Sequence, residues 1–309
     1  MINNLKKFIK KEGYKVEHNL VTFDVTDNIT KSVTDFYDIN PFPNYEIRET
    51  KQTILDKGDS NVFAKRLKKI IGNDKFFIEI GSGTSQLSNY LAIGNNSNFI
   101  AMDPTHTSLN LGAEFAKKNN INNITFLKAD IFDDVLKDNI FDIVWCSGVL
   151  MCTKDPYLGF KTITKSLKKD GYIIIGLYNT FGRIRTIIRK YISWIFGEWT
   201  LNYTDPFIRN LRKNKKQNKD KIFSWIRDQY SHPIERVNTF DEILNWFDKN
   251  NIEYVNSIPS FLVGDENKYD YFEKTPRYSY IQRLISQIFM IFSNLGSEGG
   301  LFIMIGKKK

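Results

Sequence analysis

The run Phe76-Phe77-Ile78-Glu79-Ile80-Gly81-Ser82-Gly83-Thr84-Ser85 decides the fold of this chain of 309 residues. A β-prone, mainly apolar stretch ends in a turn with two glycines, and a segment of helical character follows at 86–92. Strand, glycine turn and helix in this order predict the opening of a Rossmann-like nucleotide site. A tight structural turn in another kind of α/β protein would leave the same local pattern.

The glycine spacing argues against a dinucleotide cofactor. That fingerprint needs glycines at relative positions one, three and six, and the third position holds Gln86 here. The run resembles instead the first motif of class I S-adenosylmethionine (SAM) methyltransferases, in which an acidic residue precedes Gly-x-Gly-x-Gly, with Ser85 in the last glycine position. SAM carries an ammonium, a sulfonium and a carboxylate but no phosphate. The resemblance therefore implies that Glu79 complements positive charge and that Gly81, Ser82 and Gly83 lie against the ligand.

Apolar strands alternate with periodic helices after this turn, and this order predicts an α/β fold with a doubly wound, mainly parallel sheet. The resemblance implies seven Rossmann-like strands, with a helical insertion after the fifth strand. Strands are expected at 76–80, 98–102, 124–128, 141–147, 172–177, 252–258 and 301–305. Helices are expected at 61–72, 108–118, from 155 to Asp170-Gly171, from 239 to 248 and at 280–295. The predicted division is 1–60 as an N-terminal cap, 61–180 as the SAM-binding core, 181–238 as a basic helical lid, and 239–309 as the rest of the core with a second helical insertion.

Later residues follow in the order that the family's cofactor site requires. Asp103 ends the second strand, 22 residues after Gly81, where a carboxylate can accept both ribose hydroxyls. The resemblance implies that Asp130 meets the adenine amino group, that the backbone amide of Ile131 meets a ring nitrogen, and that the backbone around Cys146 faces the methionyl ammonium. An Asp-Pro turn at Asp103 and a helix N-cap at Asp130 are the structural alternatives.

The predicted acceptor side draws on segments outside the glycine turn. Tyr37 lies in an aromatic and proline-rich stretch at 36–45, which either closes over the cofactor or packs as a strap on the core. Tyr178 and Asn179 end the fifth strand, and ligands of open α/β sheets bind beyond the carboxyl ends of strands. Tyr178 is therefore also a candidate catalytic residue.

A histidine in the lid is the candidate base. Tyr230 and His232 belong to the run Asp228-Gln229-Tyr230-Ser231-His232-Pro233, and similar runs occur in a bacterial methyltransferase subgroup. A histidine with a pKa near 6.5 can take a proton from an acceptor hydroxyl, although a hydrogen-bonded loop histidine is the alternative. The spacing of Asp228, His232 and Glu235 matches no metal signature, so no metal is expected.

The net charge of +9 is concentrated in one segment. Residues 181–221 hold eleven Lys or Arg and three acids, which gives +8, so the rest of the chain sums to +1. A solvated lid over the substrate pocket is the favoured interpretation, and nucleic-acid binding or peripheral membrane contact are the alternatives. Only two cysteines are present, which argues against a disulfide framework. The sequence shows no secretory signal and no apolar run approaching the roughly 18 residues that span a bilayer, and we therefore expect a cytoplasmic protein.

The sequence therefore predicts a SAM-dependent methyltransferase that acts on oxygen, carbon or nitrogen of a small or medium-sized metabolite. An RNA methyltransferase that uses the basic insertion, and a Rossmann-like binding protein that has lost catalysis, are the alternatives. Neither the acceptor nor the oligomeric state follows from the sequence.

Overall fold

The structure is a computed structural model that describes residues 6–39, 41–43, 45, 49–213, 219–265, 270–295 and 298–309. In these residues, nine strands form one sheet at the centre of the protein. In chain order the strands are β1 (Lys15–Glu17), β2 (Leu20–Thr22), β3 (Phe76–Ile80), β4 (Asn98–Asp103), β5 (Ile124–Lys128), β6 (Phe141–Ser147), β7 (Leu167–Tyr178), β8 (Ile252–Ile258), β9 (Asn294–Leu295), β10 (Glu298–Gly299) and β11 (Leu301–Lys308). The sheet order is β1-β2-β5-β4-β3-β6-β7-β11-β8, and β9 pairs with β10 in a separate ribbon. Strands β2 to β7 of this sheet pair in parallel, whereas β11 runs antiparallel to both β7 and β8.

Helices cover both faces of the sheet and build the lid. In chain order they are α1 (Asn28–Ile39), α2 (Lys51–Ser60), α3 (Val62–Ile71), α4 (Gln86–Ala92), α5 (His106–Lys118), α6 (Pro156–Ser166), α7 (Ile184–Phe196), α8 (Leu201–Thr204), α9 (Pro206–Lys213), α10 (Lys219–Tyr230), α11 (Phe240–Lys249) and α12 (Tyr280–Phe289). Within the described ranges no helix combines the length and the apolar character needed to cross a membrane.

Local sequence signals set these boundaries. The side chain of Asn61 accepts a hydrogen bond from the backbone N–H of Ala64 and so caps α3, which Gly72 ends. The capping box predicted at Thr239 and Glu242 is present at the start of α11. Strand β3 is buried on both faces, with Ile78 fully inaccessible, as expected for the middle of a parallel sheet.

The predicted α/β architecture is confirmed, with three local differences. The sheet gains two strands from the predicted N-terminal cap, because β2 pairs in parallel with β5 and β1 pairs antiparallel with β2. Strand β7 begins at Leu167 and not at Tyr172, because Asp170 adopts a φ of 61° and produces a bulge in place of the predicted helix end.

The second amphipathic helix is also shorter than predicted. Helix α12 ends at Phe289, because the amides of Ile291 and Phe292 bond to carbonyls three residues back, and the chain then enters β9.

One buried cation attaches the lid to the sheet. Arg183 has no exposed surface, and its guanidinium donates to both carboxylate oxygens of Glu235 at 2.9 and 2.6 Å. It also donates to the side-chain oxygen of Gln229 at 2.7 Å and lies 3.7 Å from the ring centre of Tyr178. These contacts join the end of β7 to both sides of the turn that follows α10.

Replacing Arg183 by methionine should lower the free energy of unfolding by about 3 kcal/mol, because Glu235 and Gln229 would lose a buried partner. Arg212→Met, at an exposed position on α9, is the matched control and should change stability by less than about 0.5 kcal/mol. Urea denaturation of the three proteins measures the difference. Equal losses in both variants would contradict the structural role of Arg183.

Candidate active site

A cavity of about 290 Å³ opens beyond the carboxyl ends of β3, β4, β6 and β7. Its size is at the lower end of the range in which proteins bind small ligands. Ten of the predicted site residues line it: Tyr37, Glu79, Gly81, Ser82, Gly83, Asp103, Asp130, Ile131, Tyr178 and His232. The sheet topology thus brings residues that are far apart in sequence to one edge.

The glycine turn forms one wall of the cavity, and both glycines are sterically required. Gly81 has a φ of +69°, and a Cβ there would lie 2.0 Å from a methyl group of Val149. Gly83 has a φ of +51°, and a Cβ there would lie 2.3 Å from the carbonyl oxygen of Phe42. The strap at 42–43 therefore presses directly on the turn, with the hydroxyl of Thr84 donating to the carbonyl of Pro43 at 2.5 Å.

Glu79 lies beneath this turn. Its carboxyl group accepts hydrogen bonds from the backbone amide of Ser88 at 3.0 Å and from the Ser88 hydroxyl at 2.5 Å. Burial nevertheless raises the pKa of Glu79 to about 8, because an ionised carboxylate is costly away from water. A cationic ligand in the cavity would favour the ionised form.

Asp103 connects the end of β4 to the glycine turn. One carboxylate oxygen accepts from the amide of Gly83 at 2.8 Å, and the other accepts from the amide of Thr105 at 2.8 Å. Burial raises the pKa of Asp103 above its usual value. Each oxygen has a second lone pair, so a ligand hydroxyl can still be bound.

Asp130 presents a carboxylate oxygen with no partner among the described residues. Its Oδ1 accepts from the amide of Phe132 at 2.9 Å and caps the short 3₁₀ helix Ile131–Asp133, as one of the sequence alternatives states. Its Oδ2 is buried and unbonded. Because buried polar atoms are rarely left unsatisfied, this oxygen fits a ligand donor such as the exocyclic amino group of an adenine.

His232 lies at the lid side of the cavity, where Phe36 and Tyr37 contact its ring at centroid distances of 5.3 and 5.7 Å. Its Nδ1 lies 2.6 Å from the carbonyl oxygen of Ile234 and 3.2 Å from the amide nitrogen of Ile234, and the shorter contact favours the tautomer with the proton on Nδ1. Its Nε2 is buried, and the described part of the chain offers it no partner. Burial lowers the pKa of His232, so the imidazole is neutral near pH 7 with its lone pair on Nε2.

Asp228 connects the lid to α1 and to β7. It accepts from the Tyr37 hydroxyl at 2.9 Å and from the Gln229 amide at 2.8 Å, and the same amide donates to the Tyr178 hydroxyl at 2.9 Å. Both Asp228 and Glu235 line the cavity. Sequence reasoning considered them only as part of a metal cluster, and no group of three possible metal ligands occurs in the ranges that the structure describes.

Three predicted contacts need correction, because they do not line the cavity. Cys146 is fully buried within β6, and the residues that follow it line the cavity instead. Asn179 is buried and donates to the side-chain oxygen of Gln287 at 2.9 Å, so it serves the junction between β7 and α12. Tyr230 packs in a small core within the lid and donates to Asp205 at 2.6 Å.

Comparisons with known proteins agree with this geometry. A family model described as a methyltransferase domain matches residues 71–254. The chain is 28% identical over 157 residues to a release factor glutamine methyltransferase of Buchnera aphidicola subsp. Acyrthosiphon pisum, a match that covers 48% of this chain and 53% of the relative. It is 32% identical over 133 residues to a bifunctional glycosyltransferase/methyltransferase of Fusobacterium nucleatum subsp. nucleatum, covering 37% of this chain and 20% of the relative. The chain thus spans about half, or less, of the length of these curated relatives.

Solved structures share the fold at low sequence identity. PKMT2 from Rickettsia typhi aligns with a TM-score of 0.55 and 13% identity over 93% of this chain and 54% of that chain. A geranyl diphosphate C-methyltransferase from Streptomyces coelicolor A3(2) aligns with a TM-score of 0.52 and 10% identity over 93% of this chain and 100% of that chain.

The region matched by the family model covers more than half of the chain. It runs from the end of α3 into β8, so it contains the glycine turn, both cofactor-side aspartates and the whole lid. The chain therefore belongs to the methyltransferase domain family, the class I Rossmann-like methyltransferases that use SAM as methyl donor.

Proposed function

We propose that this protein transfers the methyl group of SAM to an oxygen, nitrogen or carbon atom of a small or medium-sized, neutral or cationic metabolite. The observation that carries the proposal is the buried Nε2 of His232, an acceptor atom without a partner in the described chain, on the same cavity as Asp130. When bound, SAM supplies an electrophilic methyl group on a positively charged sulfur. The chain must hold the acceptor in line with that methyl group and remove a proton where the acceptor carries one.

The cofactor end of the cavity is assigned to Glu79, Asp103, Asp130 and the turn at 81–83. Asp103 would bind the ribose hydroxyls, and Asp130 Oδ2 would accept from the adenine amino group. Glu79 would complement the positive charge at the methionyl end of SAM. Because the pKa of Glu79 is raised to about 8, its carboxyl group would ionise when this positive charge binds.

The acceptor end is assigned to Tyr37, Tyr178 and His232, and His232 Nε2 would be the proton acceptor. Five carboxyl groups line the cavity, and none of its described lining residues is a lysine or arginine. Glu79 is mostly protonated at pH 7 and Glu235 is paired with Arg183, but this described lining still offers phosphate and carboxylate groups no cationic side chain near the reacting atom. It therefore favours a neutral or cationic metabolite over RNA.

Asp130→Asn should weaken SAM binding at least about tenfold, because the amide can turn an N–H toward the ligand's amino group where an acceptor is needed. Isothermal titration calorimetry measures the affinity. Asp155→Asn is the matched control, since Asp155 caps α6 through the amide of Leu158 but does not line the cavity, and asparagine is an equally good N-cap. An unchanged affinity in the Asp130 variant would remove this residue from the cofactor site.

SAM binding at pH 7 should release up to one proton per molecule bound. In the free protein the pKa of Glu79 is about 8, so the carboxyl group is mostly protonated at pH 7, and a cationic ligand shifts it to the ionised form. The release should vanish well above pH 8, where the carboxyl is already ionised. Calorimetry in buffers of different ionisation enthalpy measures it. Glu79→Gln should abolish the release while the exposed-site control Glu114→Gln retains it, and a release that persists in Glu79→Gln would rule out this assignment.

His232→Asn should lower the rate of methyl transfer by about 10²–10⁴-fold with SAM affinity unchanged, if the acceptor must lose a proton. The assay follows label from methyl-labelled SAM into separate pools of small metabolites, RNA and protein. We expect label in the small-metabolite pool, and a rate that falls as the pH drops through the lowered pKa of His232, below about 6.5.

His18→Asn, at an exposed site where asparagine tolerates the observed φ of 54°, is the control and should keep full activity. Label that enters only RNA or only protein would overturn the proposed acceptor class. Tight binding of NAD without any response to SAM would overturn the proposed donor.

A further inference from the structure

Helix α7 turns an apolar face toward solvent. Its residues Ile184, Ile188, Tyr191 and Ile195 follow the spacing of one helical face, and all four are exposed. The opposite side buries the polar residue Thr186. A surface helix of a globular protein usually shows the reverse arrangement.

Helix α12 repeats this inversion. Ile281, Ile285 and Ile288 form an exposed apolar stripe with the same spacing, which Phe292 continues beyond the helix end. The buried side carries Ser286 and Gln287.

The buried polar residues fix the rotation of α12. The hydroxyl of Ser286 donates to the carbonyl of Ser260 at 2.6 Å, and the side-chain oxygen of Gln287 accepts from Asn179 and from the amide of Phe240, both at 2.9 Å. Because these hydrogen bonds are specific and buried, the apolar stripe cannot rotate inward without breaking them.

The two stripes belong to one region of the surface. The guanidinium of Arg185, near the start of α7, donates to the carbonyl of Ile291, just past the end of α12, at 3.3 Å. Aromatic residues extend this region along the chain. The name 'exposed apolar surface' is used below for the following side chains: Ile184, Ile188, Tyr191, Trp194, Ile195, Phe196, Trp199, Tyr203, Ile281, Ile285, Ile288, Phe289 and Phe292.

Positive charge accompanies this surface. The segment 181–221, which contains α7, carries a net charge of +8. Its exposed basic residues include Lys190, Arg209, Arg212 and Lys213. Exposed Trp, Tyr and Phe beside Lys and Arg are the composition of helices that lie in the interface of an anionic bilayer.

We infer that the exposed apolar surface of α7 and α12 docks the protein on an anionic lipid bilayer, with the aromatic side chains in the headgroup region and the basic residues of the lid on lipid phosphates. A second copy of the chain is a poorer occupant, because two faces of the same strong positive charge repel each other. The inference is independent of the methyl acceptor, and its test needs no SAM.

Flotation of the full-length protein with vesicles tests the inference. The protein should bind vesicles of equal parts phosphatidylcholine and phosphatidylglycerol and should not bind phosphatidylcholine alone, and the binding should weaken as salt is added. Trp194→Ser with Phe292→Ser should reduce binding at least about tenfold, since these side chains are 81% and 77% exposed, the highest values in the set. Their exposure means that the fold should be retained, which circular dichroism checks.

Matched controls distinguish binding through this surface from nonspecific hydrophobic or electrostatic binding. Ile39→Ser with Val62→Ser removes two apolar side chains that are 72% and 68% exposed elsewhere, and binding should be unchanged. Arg209→Gln with Arg212→Gln should weaken binding, whereas Lys117→Gln with Lys118→Gln, at exposed sites on α5, removes the same charge and should have a smaller effect.

Three results would overturn the inference. The first is no binding of the native protein to anionic vesicles. The second is equal loss in the apolar variant and its control. The third is that sedimentation velocity shows the native protein as a dimer and the variant with Trp194→Ser and Phe292→Ser as a monomer, since the surface would then be an interface between two copies of the chain.

Discussion

The buried guanidinium of Arg183 holds the acceptor side of the cavity in place. Strand β7 ends at Tyr178, and the chain leaves the sheet for about 60 residues before it returns through α11. His232 lies in a loop of this excursion, which backbone bonds from Arg236 to Met151 and from Asn238 to Tyr178 also tie to the core. The ion pair of Arg183 with Glu235 and its hydrogen bonds to Gln229 add to these ties, and the guanidinium also packs on the Tyr178 ring. Burial of such a pair is costly, so its complete set of partners is what makes it possible.

The two ends of the cavity are prepared differently. At the cofactor end, backbone amides already occupy one lone pair on each Asp103 oxygen, and a rigid glycine turn brings the backbone close. At the acceptor end, side chains from α1, β7 and the lid are joined through Asp228. The first arrangement is built into the sheet, and the second depends on an insertion between β7 and α11.

The sheet side of the cavity lining could be predicted from sequence because its residues lie at fixed positions at the ends of strands. Glu79 and Asp103 lie in the last two positions of β3 and β4, Asp130 follows β5 by two residues, and parallel strands bring such positions together. The proposed acceptor end was harder to predict from sequence. Tyr230 and Asn179 neighbour cavity residues in sequence but are turned into the protein, where Asp205 and Gln287 bind them. Arg183 belongs to a strongly basic segment, and the charge pattern alone does not separate this buried arginine from its solvated neighbours. Strand β2 was missed because three residues carry too little periodicity to predict a strand.

The carboxyl-rich lining of the cavity has a consequence for turnover. The ionised carboxylates of this lining attract a ligand that carries a sulfonium, Glu79 ionises as such a ligand enters, and the attraction is stronger in a site that excludes water. Methyl transfer converts the sulfonium into a neutral thioether, so the spent donor loses part of that attraction at the moment it forms. The same side chains that would recruit the donor would therefore hold the thioether by-product less tightly than the sulfonium it came from.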